Sequence, residues 1–374
     1  MKKLSIFLYL LLQITIVSSY ANYINVSSCQ TINSSLLGGA DEVRINESFS
    51  HSGSCFNVVE SNVKIDCMHN TISGDGSGTF LYSGTNNNNV SFVNCNVNNF
   101  FYGIDFSLFN VYNDDLYFEN LTFSNFTSYY VINLEYFSNL TLNNISLLNI
   151  SDGINLLGWE VNSRSILSNI YIENSSSNID CRFGIKSTIC VESTPRVIAE
   201  NITIFQDDSQ YSLMLAFAGG SAFNNITINN TQNGMYLGDT LFNNFSQITI
   251  NVPQNSLNID SSSDNIFDNI VLSNLNNSII FEGSDISGKS EDNIFRNSYL
   301  GNYSSIISSN WSLATPNTFE NNNYFGGSVS STCFDNPLNQ SCEVAVISSS
   351  TTSSLFPLGS IIISIILTLG YFII

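Results

Sequence analysis

The sequence predicts an all-β chain whose body is a single right-handed parallel β-helix, a solenoid of about eleven coils. Two observations predict this fold. A short motif, an Asn followed by an apolar, a polar and a second apolar residue, recurs every 22 to 32 residues. This alternation is typical of a strand, and no stretch of the body has the 3.6-residue period of a helix. Leucine-rich repeats and propeller blades fit this pattern and spacing less well.

The repeated Asn is the second element of the prediction. Because successive coils of a solenoid lie about 4.8 Å apart, equivalent residues meet their own kind above and below. We expect inward apolar stacks, such as Ile202 and Ile204 with Ile226 and Ile228. Asn also tolerates the left-handed backbone of a tight corner, and its amide can form an internal ladder that satisfies buried polar groups. The predicted ladder comprises Asn62, Asn89, Asn120, Asn144, Asn169, Asn201, Asn225, Asn269, Asn297 and Asn321.

The two ends of the chain are apolar. Residues 1–21 begin with two lysines, continue with an apolar run over 4–17 and end in small residues, which is the layout of a cleaved signal peptide; an N-terminal anchor is the alternative. Residues 348–354 are a Ser/Thr-rich stalk before an apolar tail, 355–374, long enough to cross a bilayer. A transmembrane span and a cleaved lipid-anchor signal both stay open. We therefore expect an extracellular protein held at the cell surface, with the membrane as a partner.

Between these ends we predict an N-terminal cap over 22–56, β-helix repeats over 57–327 and a C-terminal cap with a disulfide loop over 328–347. Eight cysteines in a chain with a leader favour disulfides over a metal site. The two short loops predict local pairs, and the other four cysteines suggest Cys67 stacking on Cys95 with Cys29 left for Cys55, although spacing alone does not fix the connectivity. The cysteines are Cys29, Cys55, Cys67, Cys95, Cys181, Cys190, Cys333 and Cys342.

Composition limits the partners. The 374 residues are 43% hydrophobic and only 11% charged, with a formal net charge of −20. An acidic chain repels phosphate backbones, so we exclude nucleic acid as a partner. The many Asn and Ser side chains would hydrate an exported surface without charge. We expect no cofactor, and extracellular glycans or surface proteins are the expected partners.

One region carries a family resemblance. The segment Cys55-Phe-Asn-Val-Val-Glu-Ser-Asn62-Val-Lys-Ile-Asp66-Cys67, followed by Thr71-Ile-Ser-Gly74 and Asn89-Val-Ser-Phe-Val-Asn94-Cys95, resembles the first coils of parallel β-helix proteins with pectin-lyase-like repeats. These include exported surface proteins and the NosD-type copper-site maturation factor. The resemblance extends over about residues 45–327 and implies the fold. It implies little about function, because this architecture hosts lyases, hydrolases, epimerases and adhesins.

Two classes of function follow. The favoured one is a non-catalytic surface protein for adhesion, glycan binding or envelope structure. The alternative is a lyase or glycoside hydrolase acting on an acidic polysaccharide. Catalytic candidates are few and do not stand in the sequence motifs that such enzymes use, so we assign no catalytic, cofactor-binding or metal residues. The residues weighed are His51, His69, Asp114, Asp115, Asp207, Asp208, Arg182, Arg196, Glu192, Met68, Met214 and Met235.

Eighteen Asn-x-Ser/Thr sequons occur, and they divide into two groups. Five coincide with the repeat motif, and an internal ladder would shield them from modification: Asn89, Asn120, Asn144, Asn201 and Asn225. The predicted acceptors are the out-of-register sequons Asn25, Asn33, Asn46, Asn125, Asn139, Asn149, Asn174, Asn229, Asn244, Asn276, Asn302, Asn310 and Asn339.

Overall fold

The structure, a computed structural model, describes residues 22–108, 111–158, 164–176, 181, 185–274, 277–282, 290–300, 307–308 and 317–319. These residues form one helical turn, α1 (Ser34–Leu37), and strands that pair in parallel throughout. The strands are β1 (Tyr23–Val26), β2 (Thr31–Ile32), β3 (Glu42–Ile45), β4 (Phe49–Ser50), β5 (Phe56–Val58), β6 (Val63–Asp66), β7 (Thr71–Ser73), β8 (Thr79–Tyr82), β9 (Asn87–Asn98), β10 (Tyr102–Phe106), β11 (Asn113–Gly158), β12 (Ser165–Ser175), β13 (Ser187–Glu192), β14 (Val197–Asp207), β15 (Tyr211–Ala216), β16 (Ala222–Asn229), β17 (Met235–Gly238), β18 (Asn244–Val252), β19 (Asn255–Asp260), β20 (Ile266–Asp268), β21 (Val271–Asn274), β22 (Asn277–Glu282), β23 (Ile294–Arg296), β24 (Ile307–Ser308) and β25 (Thr318–Phe319).

The strands build a parallel β-solenoid of about ten coils with three faces, which confirms the predicted fold. Face A contains β1, β3, β6, the first parts of β9, β11, β12, β14, β16 and β18, and then β20, β23 and β25. Face B contains β4, β7, the second parts of the same long strands, and β21. Face C contains β2, β5, β8, β10, later parts of β11, β13, β15, β17, β19, β22 and β24.

Inward side chains stack in register, as the alternation predicts. Ile202 pairs with Ile226 and Ile204 with Ile228, and all four are buried. On face A, four phenylalanines form a continuous column, Phe223, Phe245, Phe267 and Phe295, with successive ring centroids 5.1, 4.9 and 4.4 Å apart. Each fully buried phenylalanine contributes on the order of 2–3 kcal/mol of hydrophobic stabilisation.

Single residues with positive φ turn the chain at the corners. Along a coil such as that of Asp115, Asn120 and Asn125, these residues recur every five positions and separate four-residue strand segments. The left-handed conformation is costly for most L-residues, and Asn adopts it more readily because its short side chain bonds locally. The prediction that the repeat Asn sits at a left-handed corner therefore holds for all its described members, whose φ angles lie between 53° and 58°: Asn62, Asn89, Asn120, Asn144, Asn169, Asn201, Asn225, Asn269 and Asn297.

The predicted ladder is wrong in two respects. Its amides do bond from coil to coil, as where Asn144 Nδ2 donates to Asn120 Oδ1 over 2.8 Å. However, the corners lie outside the core, and Asn144 is exposed. Asn62 and Asn89 also occupy the preceding corner column, because Asn94, not Asn89, stacks below Asn120 and accepts from its Nδ2 at 2.9 Å. Asn321 lies outside the described residues.

A different asparagine column forms a buried ladder. It lies on face A, two residues before the phenylalanine column, and consists of Asn243, Asn265, Asn293 and Asn317. Each Nδ2 donates to the next Oδ1 over 2.8–3.0 Å, and that oxygen also accepts the backbone N–H of the residue below it at 3.0–3.1 Å. These bonds satisfy polar groups that would otherwise be orphaned in the interior.

Disulfides join Cys29 to Cys55, Cys67 to Cys95 and Cys181 to Cys190. The first two link neighbouring coils, and the third closes a short loop on face C. Cys333 and Cys342 lie outside the described residues, as do the segments predicted to be a signal peptide, a C-terminal cap, a stalk and a membrane or lipid-anchor tail. Residues 22–56, predicted as the N-terminal cap, contribute β1–β4 to the parallel stack. Of the residues that the structure places, none forms a helix long enough to span a membrane.

Candidate functional site

The outward side of face C carries two rows of polar side chains. Parallel pairing aligns one row through Asp105, Asn133, Asn155, Cys190, Met214, Tyr236 and Asn258. The other row, two residues further along each strand, includes Glu135, Glu192, Asp260 and Glu282. The rows follow from strand geometry, because residues two apart share a face and equivalent residues of adjacent coils lie about 4.8 Å apart.

A tyrosine, amide and carboxylate cluster occupies the β15–β22 end of these rows. The rings of Tyr211 and Tyr236 lie 5.4 Å apart, and Tyr236 Oη donates to Asp260 Oδ2 over 2.7 Å. Asn258 Nδ2 donates to Tyr211 Oη and to Glu282 Oε2, each over 3.2 Å. Asn258 and Tyr236 are 5% and 6% exposed, whereas Asp260 and Glu282 are half-buried. The cluster therefore has a buried floor and carboxylates that reach solvent.

The unusual feature of Asn258 is its carbonyl. Asn258 Oδ1 is buried and has no hydrogen-bond partner in the structure. A buried acceptor left without a donor costs about 1–3 kcal/mol, so few remain in native proteins. This one lies beside Tyr211 and Glu282, in a cluster that is otherwise hydrogen-bonded.

Burial and neighbouring charges raise the pKa of three groups in or beside the cluster, Tyr211, Tyr236 and Asp239. Burial raises the pKa of Tyr236, and its hydrogen bond to Asp260 raises it further, so this phenol stays neutral. Burial also raises the pKa of Tyr211. Asp239 follows β17 directly and is half-buried; burial and then the charge of Asp260 raise the pKa of its carboxyl. One carboxyl of this group thus holds its proton more tightly than an isolated aspartate.

A second acidic group lies toward β10. Asn155 Nδ2 donates to Asn133 Oδ1 at 2.8 Å, and Asn133 Nδ2 donates to Asp105 Oδ1 at 3.1 Å, so these amides are committed to one another. Glu135 is half-buried, and burial, followed by the charges of Asp105 and Glu192, raises the pKa of its carboxyl.

An apolar plate separates the two acidic groups. The Cys181–Cys190 disulfide, Met214 and Tyr130 are buried together, and Tyr130 Oη lies 3.7 Å from Cys190 Sγ. The plate covers the middle of face C.

The residues weighed from the sequence as catalytic do not assemble into a site. Asp114 accepts from Ser138, and Asp115 Oδ1 accepts from Asn139 at a corner. Asp207 is buried among hydroxyls, where burial raises its pKa, while Asp208 is exposed on the surface.

The remaining weighed residues are scattered. Arg196 is an exposed corner residue, and Arg182 lies outside the described residues. His51 and His69 lie in the first coils, far in sequence from the cluster of Tyr211, Tyr236, Asn258, Asp260 and Glu282. Met68 is exposed, Met214 is in the plate and Met235 faces the core. Within the described ranges, no group of three or more His, Cys, Asp or Glu residues could hold a metal ion.

The predicted glycan acceptors lie at the surface where the structure describes them. Asn33 is half-buried and caps α1 by accepting from the Leu36 N–H. Contrary to the sequence analysis, four of the supposedly out-of-register acceptors also occupy left-handed corners: Asn125, Asn139, Asn149 and Asn174. Asn276, Asn302, Asn310 and Asn339 lie outside the described residues. Position in the repeat therefore does not separate accessible from shielded sequons.

Sequence reasoning missed the face C cluster. Asp260, Glu282 and Tyr236 belong to no repeated motif, although their strands recur every 22 residues. The available signal was a run of acidic residues at the ends of short apolar segments, as in Leu257-Asn-Ile-Asp260 and Ile279-Ile-Phe-Glu282. Period-two alternation would place these acids on the outer side of a strand.

Fold and site together define the class: a parallel β-helix repeat protein with an acidic, tyrosine-lined outer face. No known family matches the chain, and no curated protein is similar to it in sequence. Solved structures with a similar fold include the A-module of the Azotobacter vinelandii mannuronan C-5 epimerase AlgE6, at 11% identity and a TM-score of 0.44, over 77% of this chain and 91% of that one. Another is the catalytic domain of a GH87 alpha-1,3-glucanase, at 12% identity and a TM-score of 0.22, over 82% and 70%. Likenesses this distant carry no argument about activity.

Proposed function

We propose that this protein is a non-catalytic, cell-surface β-helix that binds glycans on the outer side of face C. The observation that carries the proposal is the Tyr211–Tyr236 pair set among Asp260, Glu282 and Asn258. Buried aromatic floors with a few placed polar groups are typical of small-ligand sites. The three disulfides are compatible with an extracellular location, which a surface glycan binder requires.

The negative charge of the face C cluster argues against an acidic ligand. Within the described part of the chain, the four ion pairs join residues of face A, and none of them includes Asp260, Glu282 or Asp239. A uronate polymer would bring further negative charge to Asp260, Glu282 and Asp239 without a cation to offset it. A neutral or cationic glycan avoids this repulsion.

A glycan array with the purified full-length protein tests the proposal. We expect retention of neutral or amine-bearing glycans and no retention of uronates. Tyr236→Ala should reduce retention at least tenfold, because it removes the ring and the Asp260 hydrogen bond. The matched control is Tyr171→Ala, an exposed tyrosine of face B that also bonds a carboxylate, Glu173. Equal loss with both variants, or retention of uronates alone, would refute the proposal.

The second candidate is a hydrolase for uncharged glycans. It is favoured by the pairing of Asp260 with Glu282 on adjacent coils and by neighbouring Asp239, because burial and then the charge of Asp260 raise the pKa of the Asp239 carboxyl, as a general acid requires. Chromatography of bound oligosaccharides after prolonged incubation decides between the two. Intact oligosaccharides support binding alone, and shortened ones that disappear with Asp239→Asn support the hydrolase.

A further inference from the structure

The cluster on face C has an excess of hydrogen-bond acceptors. Tyr236 Oη donates its hydrogen bond to Asp260. Asn258 Nδ2 donates its two hydrogen bonds to Tyr211 and Glu282. The acceptors that remain are Asp260 Oδ1, which takes one bond from Ser261 Oγ at 3.0 Å, the second oxygen of Glu282, the carboxyl of Asp239 and the orphan Asn258 Oδ1. Against these acceptors stands one uncommitted donor, the Tyr211 hydroxyl, which accepts from Asn258. A ligand that fits must therefore supply donors.

Among common ligand groups, a primary ammonium fits this inventory best. It carries three N–H donors and no acceptor, whereas a hydroxyl brings lone pairs that would face carboxylates. Its positive charge also offsets Asp260 and Glu282, which no described Lys or Arg neutralises. Hydrogen bonds from a charged donor to carboxylates are the stronger kind, particularly where water is partly excluded.

An apolar ledge adjoins this cluster. Phe217 directly follows β15 and lies beside Asp239 of the next coil, while Leu241 and Phe242 come two and three residues after Asp239. Phe217 is 42% exposed and Phe242 is 66% exposed. Both have left-handed backbones, with φ of 52° and 59°, which is uncommon and costly for bulky residues. Exposed aromatics held at such a cost beside a polar cluster are typical of a ligand contact.

We infer that face C takes an amino sugar: the ammonium is held by Asp260, Glu282 and Asn258 Oδ1, and the apolar side of the sugar ring or its neighbour lies on Phe217 and Phe242. This inference rests on the proposed glycan-binding function and specifies its ligand as a glycan with free amino groups. The tyrosine floor is compatible with a cation, because an ammonium near an aromatic face gains a cation–π attraction.

Titration calorimetry with three hexamers tests the inference on the full-length protein: glucosamine, N-acetylglucosamine and glucose. Acetylation removes the charge and two N–H donors and keeps the ring. We expect the glucosamine hexamer to bind at least tenfold more tightly than the other two, with affinity falling as salt is raised. Asp260→Asn and Glu282→Gln should each weaken glucosamine binding about tenfold, a larger loss than either causes in the binding of the two neutral hexamers.

The control is Glu173→Gln, which removes one half-buried carboxylate from face B and keeps the net charge equal to that of the site variants. If Glu173→Gln weakens glucosamine binding as much as Asp260→Asn, the attraction is diffuse and the ammonium site is refuted. If the three hexamers bind equally and Tyr236→Ala abolishes all binding, glycan binding stands and the amino-sugar site fails. If none binds, both proposals fail. Phe217→Ala should weaken the binding of all three hexamers alike. A loss restricted to the glucosamine hexamer would contradict the proposed contact between Phe217 and the apolar side of the sugar ring.

Discussion

The buried asparagine ladder of face A supplies a quantitative test of how this solenoid is held together. Asn265 Nδ2 donates to Asn293 Oδ1 at 3.0 Å and to the Thr240 carbonyl at 3.3 Å, and its Oδ1 accepts from the Asn243 backbone N–H and Nδ2 at 3.0 and 2.9 Å. Asn265→Ala removes all four bonds and leaves the Asn243 N–H buried without a side-chain partner. At about 1 kcal/mol a bond, the expected loss is about 4 kcal/mol.

The corner ladder gives the comparison. Asn225 is exposed, and its Nδ2 makes one coil-to-coil bond, to Asn201 Oδ1 at 2.7 Å. Asn225→Ala should cost about 1–2 kcal/mol, mainly because alanine tolerates a left-handed backbone poorly, and Asn225→Gly should restore most of that loss. Equilibrium urea unfolding followed by far-UV circular dichroism measures all three variants. An Asn225→Ala loss as large as that of Asn265→Ala would show that the exposed corners, and not the buried column, carry the stability.

Three further predictions concern the rest of the stack. Burial raises the pKa of Asp207 above its unfolded value, so the stability its proton contributes is present below the unfolded pKa and is lost as pH rises through the folded pKa. Asp207→Asn, which stays neutral, should flatten the decline in Tm that sets in as the pH rises above about 4, the pKa of an unfolded aspartate; an unchanged slope would contradict this. Replacing Cys29 and Cys55 by Ser opens a crosslink between residues 26 apart and should lower the free energy of unfolding by about 3 kcal/mol and promote aggregation. Unaltered melting and solubility would count against a stabilising role for this disulfide. In a host that glycosylates sequons, peptide mapping should find Asn144 and Asn174 occupied alike, because both are exposed corner residues; occupancy of Asn174 alone would restore the shielded ladder.

The fold was predictable because its signal is repeated. Inward positions such as Ile202 and Ile226 must alternate with polar ones in every coil, so each coil independently reports the same strand. The ladder register was not predictable to the same degree. Corners recur every five residues and accept Asn at each, so Asn89 and Asn94 are equivalent by composition, and only pairing to β11 distinguishes them.

The buried ladder did leave a signal in the sequence. Each of its members stands two residues before a phenylalanine, as Asn243-Asn-Phe, Asn265-Ile-Phe, Asn293-Ile-Phe and Asn317-Thr-Phe. Because residues two apart share one side of a strand, an Asn in this position must face inward with the phenylalanine. The Asn that lies two residues before the repeated phenylalanine is therefore the interior amide, whereas the most frequent Asn of the motif is a corner residue.

The same logic explains where function can reside on this solenoid. Inward residues are fixed by packing and corner residues by their left-handed backbone, so neither can vary from coil to coil without loss of stability. The outward rows of face C are free of both constraints, and there the repeat gives way to individual residues: Glu192, Ala216, Gly238, Asp260 and Glu282 occupy one row in successive coils. Ala216 and Gly238 are buried and have the smallest side chains of this row, and Asp260 and Glu282 follow them in the next two coils. A surface built in this way can be made specific for a ligand without disturbing the stack beneath it.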